Sequence, residues 1–202
     1  MLLLPGANES SAGFARAGFY DAVRERRLDI ELDCCDLEFK HLTDRTMLER
    51  LRDGPLAAAR ASGCDSVWLA GVSLGGFMAL AYAARFPAEL NGLCLIAPYL
   101  GSRILTAEIS RAGGVAAWSP GAADADDEDR QIWRFIKLGR SPGPRLYLGH
   151  GSDDRFADSQ RLLAETLPAE AVDVVPGAHD WSTWRQVWNH FLDQWPAPGC
   201  AR

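Results

Sequence analysis

What the 202-residue sequence lacks narrows its possible functions first. It has no block of basic residues, and 27 acidic side chains outweigh 21 basic ones for a net charge of −6. A surface of that sign is a poor match for nucleic acid or an anionic membrane. No apolar stretch approaches the length of a membrane span. The opening Met1-Leu2-Leu3-Leu4 is too short for a secretory h-region, lacks a basic n-region and runs into Pro5-Gly6. No GxGxxG follows a strand-like run and there is no GK[ST] loop, which removes the common nucleotide-binding motifs. The five cysteines (Cys34, Cys35, Cys64, Cys94 and Cys200) form no CxxC and no zinc-like pairing with histidine. Most read as buried thiols in a reducing compartment, so a cytoplasmic protein is expected.

The composition that is present, 48% apolar and 24% charged, is that of a globular chain and argues against disorder. Its length suits one domain able to bury a core without staples. No repeat and no linker divides it. Short apolar runs alternate with longer amphipathic ones. The expected strands are Leu2–Leu4, Ile30–Cys35, Val67–Gly71, Leu93–Ala97, Arg145–Leu148 and Val172–Val175. The expected helices are Ser11–Arg27, Thr43–Ser62, Ser73–Arg85, Ser159–Leu167 and Ser182–Trp195, with Gly54-Pro55 able to kink or restart the second. Such alternation implies βαβ units, a mostly parallel sheet and an α/β fold of three αβα layers. Ligands then bind beyond the carboxyl ends of the strands.

One segment breaks the rhythm. Residues 101–144 separate two strands by far more than a crossover needs, which suggests a lid-like insertion. It contains the acidic run Asp124–Asp129, read as the first turn of a following helix, QIWRFIKL.

Gly71-Val72-Ser73-Leu74-Gly75 has the GxSxG pattern of a nucleophile elbow, in which small neighbours let a serine sit on a sharp strand-to-helix turn. The pattern alone is weak. Its position is more telling, because it follows a buried-looking strand and opens the helical FMALAYAARF. A serine nucleophile needs a base and an acid that orients the base. Two later strand ends offer them: Ser152-Asp153-Asp154-Arg155-Phe156 and His179-Asp180-Trp181.

Taken together, LLLPGANESS, GVSLGG, LGHGSDDRF and PGAHDWSTWR resemble, in order, the oxyanion strand and loop, the elbow, the acid segment and the histidine loop of the α/β-hydrolase superfamily. The histidine loop is similar to that of esterase D-like and related esterase branches. The resemblance spans nearly the whole chain and implies a small serine esterase using Ser73, Asp154 and His179, with Asp153 the competitor for the acid. It places oxyanion amides at Leu74 and at Ala7, with Asn8 able to contribute, although Pro5-Gly6 departs from the usual His-Gly. The chain starts at what would be the family's third strand. A reduced sheet of six strands in the order 2-1-3-4-5-6 is therefore expected.

His150 reads as a structural histidine; His41 and His190 are assigned no role. The insertion supplies Ile104, Leu105, Val115, Trp118, Trp133 and Phe135, which could line an acyl pocket or simply pack. Asn8, Trp118 and Trp181 are the candidate substrate contacts. The expected substrate is a small or medium ester or thioester, with no cofactor and no metal. An acyltransferase or peptidase using the same residues, or a non-catalytic binding protein on the same fold, stays open.

Overall fold

Alternation of side chains along the central strands builds two cores, one on each face of a single sheet. In the computed structural model, which describes residues 1–36, 46–121, 127–139 and 143–195, six strands pair in parallel throughout. They are β1 (Leu2–Leu4), β2 (Asp33–Cys34), β3 (Trp68–Val72), β4 (Gly92–Ile96), β5 (Arg145–Gly151) and β6 (Val172–Val175), in the order β2-β1-β3-β4-β5-β6. This is the expected order. His41, Cys200, the start of the expected Thr43 helix and the first part of the acidic run lie outside the described residues.

Leu2, Leu4, Leu69, Leu93, Leu95, Leu146 and Leu148 point to one face, where helices Met47–Asp53, Leu74–Arg85, Arg103–Arg111, Glu128–Leu138 and Ala157–Ala164 cover them. Leu3, Trp68, Ala70, Val72, Cys94, Ile96 and Tyr147 point to the other face. There Ser11–Arg16, Phe19–Glu25 and Trp181–Asp193 pack over them. That second core is aromatic: Phe19 stacks on Trp188 at 5.1 Å, and Trp188 in turn stacks on Phe191 at 5.6 Å. Removing one such ring would cost about 3–5 kcal/mol. Three layers follow from period-two alternation on strands buried on both sides.

Several boundaries differ from expectation for local reasons. The Ser11–Arg27 helix is two, Ser11–Arg16 and Phe19–Glu25, because Gly18 takes a left-handed conformation (φ 77°) between them. The second expected helix likewise restarts at Gly54-Pro55 to give Met47–Asp53 and Pro55–Ala61. The second strand is only Asp33–Cys34, since its neighbour among the described residues, β1, is three residues long. The strand starting at Arg145 runs on to Gly151, extended by pairing with β6.

The insertion holds a helix that the sequence pattern did not suggest, Arg103–Arg111, and the expected one at Glu128–Leu138. Asp127 caps the latter by accepting from the Arg130 amide at 3.0 Å, with Glu128 and Asp129 in its first turn. Among the described residues no helix is long and apolar enough to cross a membrane.

Candidate active site

The elbow begins with a conflict between backbone and space. Ser73 has φ 52° and ψ −113°, a region that residues with a Cβ rarely occupy. The turn is tight enough that a Cβ at Gly71 would overlap the Gly75 carbonyl, and one at Gly75 would overlap the Leu4 carbonyl. The strain is held from both ends. The Ser73 amide donates to the Ile96 carbonyl of β4 at 3.0 Å. Its own carbonyl accepts from Gly76, Phe77 and Tyr99 amides at 3.0, 3.2 and 3.0 Å. The side chain is thereby aimed away from the sheet at the carboxyl end of β3.

Two neighbouring strand exits bring the partners. The loop after β6 is locked to the loop after β5: the Ser152 amide donates to the Val175 carbonyl at 2.8 Å, and the Asp153 amide to Gly177 at 2.9 Å. Across that contact His179 Nδ1 donates to Asp154 Oδ2 at 2.7 Å, and His179 Nε2 lies 2.9 Å from Ser73 Oγ. The Phe156 amide donates to Asp154 Oδ1 at 2.8 Å, so both carboxylate oxygens are engaged. The Asp154 side chain is fully buried and that of His179 is 8% exposed. Asp153, by contrast, is exposed and accepts only from the Ser152 hydroxyl. The structure therefore joins Ser73, His179 and Asp154 in one hydrogen-bonded line and leaves Asp153 outside it.

An aromatic collar, absent from the sequence reading, fixes the imidazole. Phe156 and Trp184 each stand edge-on to the His179 ring at 5.1 Å. Tyr99 continues the wall, 5.5 Å from Phe156 and 5.6 Å from Phe77. Edge-to-face contacts of this kind restrict ring rotation while leaving both nitrogens free to hydrogen-bond. The one signal in the sequence was that Phe156 follows Asp154 by two residues.

Leu74 opens its helix, so its amide has no intrahelical acceptor. Ala7 and Asn8 form an exposed turn after β1, with Asn8 at φ 62°, and the Ala7 amide meets no backbone acceptor among the described residues. Gly6 lets that turn lie against Ser73, for a Cβ there would stand 3.4 Å from Ser73 Cβ.

Of the candidate substrate contacts, Trp118 is displaced from its expected role. It is 1% exposed inside the core, and its indole N–H is spent on Glu108 at 2.7 Å. Leu105, Val115 and Trp133 are buried in the same cluster, and Phe135 packs against it, which leaves Ile104 exposed. Trp181 is half-buried and meets Phe14 and Trp184 edge-on. Asp180 is occupied as the cap of the last helix, its carboxyl held below the usual range mainly by the Ser182 hydroxyl and the Thr183 amide.

His150 is buried with Nδ1 donating to the Gly151 carbonyl at 2.9 Å, and His190 pairs with Asp173. The described cysteines are free; burial pushes the Cys34 thiol up to about 12, far from a reactive thiolate. Among the described residues no cluster of ligand types is placed to hold a metal.

The family model described as "Putative esterase" matches residues 48–191, which carry all three residues of the hydrogen-bonded line. The chain belongs to the esterase family. Solved structures agree on the architecture. A ferulic acid esterase superposes with a TM-score of 0.63 at 13% identity, over 95% of this chain and 81% of that one. An S-formylglutathione hydrolase from Staphylococcus aureus gives 0.60 at 14% identity, over 95% and 78%. A monoacylglycerol lipase from Paleococcus ferrophilus gives 0.52 at 14%, over 96% and 92%. No curated protein sequence matches. At such identities the superpositions speak for the α/β-hydrolase fold, and the family match for a hydrolase of esterase type.

Proposed function

We propose that this esterase cleaves a small or medium carboxylic ester or thioester through an acyl-enzyme on Ser73. The observation that carries the reading is the unbroken line from Ser73 Oγ to His179 to buried Asp154, built on a strained serine at a strand end. In the first step Oγ bonds to the substrate carbonyl carbon while His179 Nε2 takes the hydroxyl proton. Asp154 keeps the other ring proton on Nδ1 and stabilises the imidazolium. Amides of Leu74 and Ala7 hold the oxyanion, each contributing roughly 3 kcal/mol to the barrier reduction. Collapse breaks the bond to the leaving alcohol or thiol, which receives the proton from His179. Water then repeats the sequence, its proton passing to His179 as its oxygen attacks the acyl carbon, and frees the acid and Ser73.

The test is covalent. A fluorophosphonate probe should label the wild type at Ser73 and fail to label Ser73→Ala, and turnover of aryl esters should fall by roughly 10⁴-fold or more in that variant. Labelling that persists in a folded Ser73→Ala protein refutes the assignment. Aryl esters and acyl thioesters of graded chain length would then rank the acyl preference.

A further inference from the structure

The turn that approaches the nucleophile carries a carboxylate with no partner. Glu9 is half-buried, and among the described residues it forms no salt bridge and accepts no hydrogen bond at its side chain. Its stem runs beside the site, since a Cβ on Gly6 would lie 3.6 Å from Glu9 Cγ and 3.4 Å from Ser73 Cβ. Its carboxylate ends over Gly13, where a Cβ would lie 3.2 Å from Glu9 Oε2 and 2.6 Å from Trp181 Cζ2. The absence of a side chain at Gly13 is what lets the carboxylate and the indole converge.

A structural task for Glu9 is already filled by another residue. The exposed amide at the start of the Ser11–Arg16 helix donates to Asp36 Oδ1 at 2.6 Å, and the Ser11 hydroxyl to Asp36 Oδ2 at 3.1 Å. Asp36 therefore takes the first amide of that helix, and Glu9 is left without a counter-charge among the described residues.

We propose that Glu9 and Trp181 form a subsite for an organic cation on the substrate, next to Ser73. A carboxylate supplies charge, and the face of a neighbouring indole, unlike its electropositive edge, attracts an alkylammonium without demanding directed hydrogen bonds. An ammonium bound there gives that carboxylate the counter-charge it lacks. The subsite rests on Ser73 being the nucleophile, and it makes charge on the substrate a determinant of specificity.

The test uses two 4-nitrophenyl methylphosphonate probes whose retained ester arm is either 2-(trimethylammonio)ethyl or its uncharged isostere 3,3-dimethylbutyl. Ser73 Oγ bonds to phosphorus, its proton passes to His179, and the P–O bond to 4-nitrophenolate breaks, which gives an absorbance signal. The ratio of second-order rate constants, cationic over neutral, is expected to be about tenfold in the wild type at low salt and to shrink as salt is raised. It should fall to about one in Glu9→Gln and be retained in Glu9→Asp. Equal rates in the wild type, or a preference that survives Glu9→Gln, overturn the subsite while leaving the nucleophile intact. If neither probe modifies Ser73, the serine assignment fails and the subsite fails with it.

Discussion

Replacing Asp154 by asparagine tests the site at its least exposed point. The exchange is nearly isosteric, so its effect comes from hydrogen-bond polarity. Asp154 Oδ1 accepts from the Phe156 amide at 2.8 Å, and only the carbonyl oxygen of an asparagine can take that place. The new NH₂ group is then forced into the position of Oδ2, facing His179 Nδ1 across 2.7 Å. Two donors cannot share that contact, so the ring must carry its proton on Nε2 instead. Nε2 lies 2.9 Å from Ser73 Oγ, and a protonated Nε2 cannot accept the serine proton.

The expected loss in kcat is about 10⁴-fold, or about 5 kcal/mol of transition-state stabilisation. Stability should fall by only about 1–2 kcal/mol, the worth of a weakened hydrogen bond. Initial rates on an aryl acetate, with urea unfolding as the control, measure both. Asp153→Asn is the internal reference and should stay near the wild type, because that side chain is exposed and meets only Ser152. A folded Asp154→Asn protein within tenfold of the wild type would refute the reasoning, as would an equal loss in Asp153→Asn.

Other consequences follow from particular contacts. Gly75→Ala places a methyl against the backbone carbonyls of Leu4 and Pro5, and should cost about 3 kcal/mol or prevent folding, read by urea midpoint or soluble yield. Glu108 is held at about 2, below its usual 4.5, chiefly by Arg130 and by the Trp118 indole. Because that carboxyl is depressed in the folded protein, its stabilisation is present above pH 4.5 and fades as the pH falls from there toward 2. Glu108→Gln should therefore melt below the wild type at neutral pH, with the gap closing on acidification and weakening in high salt, as calorimetry across pH would show.

The sheet was legible because its signals are local. The central strands are short apolar runs buried on both faces, and the strand order was expected from the likeness of the motifs to the α/β-hydrolase superfamily. Helix limits were less so. Gly18 sits inside a helical pattern whose apolar residues continue on either side, and only its left-handed backbone divides Ser11–Arg16 from Phe19–Glu25. Arg103–Arg111 was hidden in the insertion because only Leu105 and Ile109 are buried along it, too few to mark a period. Trp118 looked like a ligand contact because a tryptophan in a long loop carries no local sign of burial. Its fate is decided by Glu108 and Arg130, 10 residues before and 12 after it in sequence.

The candidate site divides along the same line. Ser73, Asp154 and His179 stand in motifs because each requires a particular backbone around it: small residues at the elbow, and tight turns where two loops interlock. The surroundings that would tune the chemistry need no such backbone. Phe156, Trp184 and Tyr99 come from three separate segments and meet only because the strand ends converge. Glu9 is an ordinary polar residue in PGANES until Gly6 and Gly13 bring its stem to Ser73 and its carboxylate to Trp181. Reaction type is thus written in short motifs, while substrate preference is written in contacts between distant segments. The residues that distinguish this esterase from others on the same fold must therefore be sought on the walls around Ser73, where Glu9 brings its stem and a carboxylate that has no ion-pair partner among the described residues.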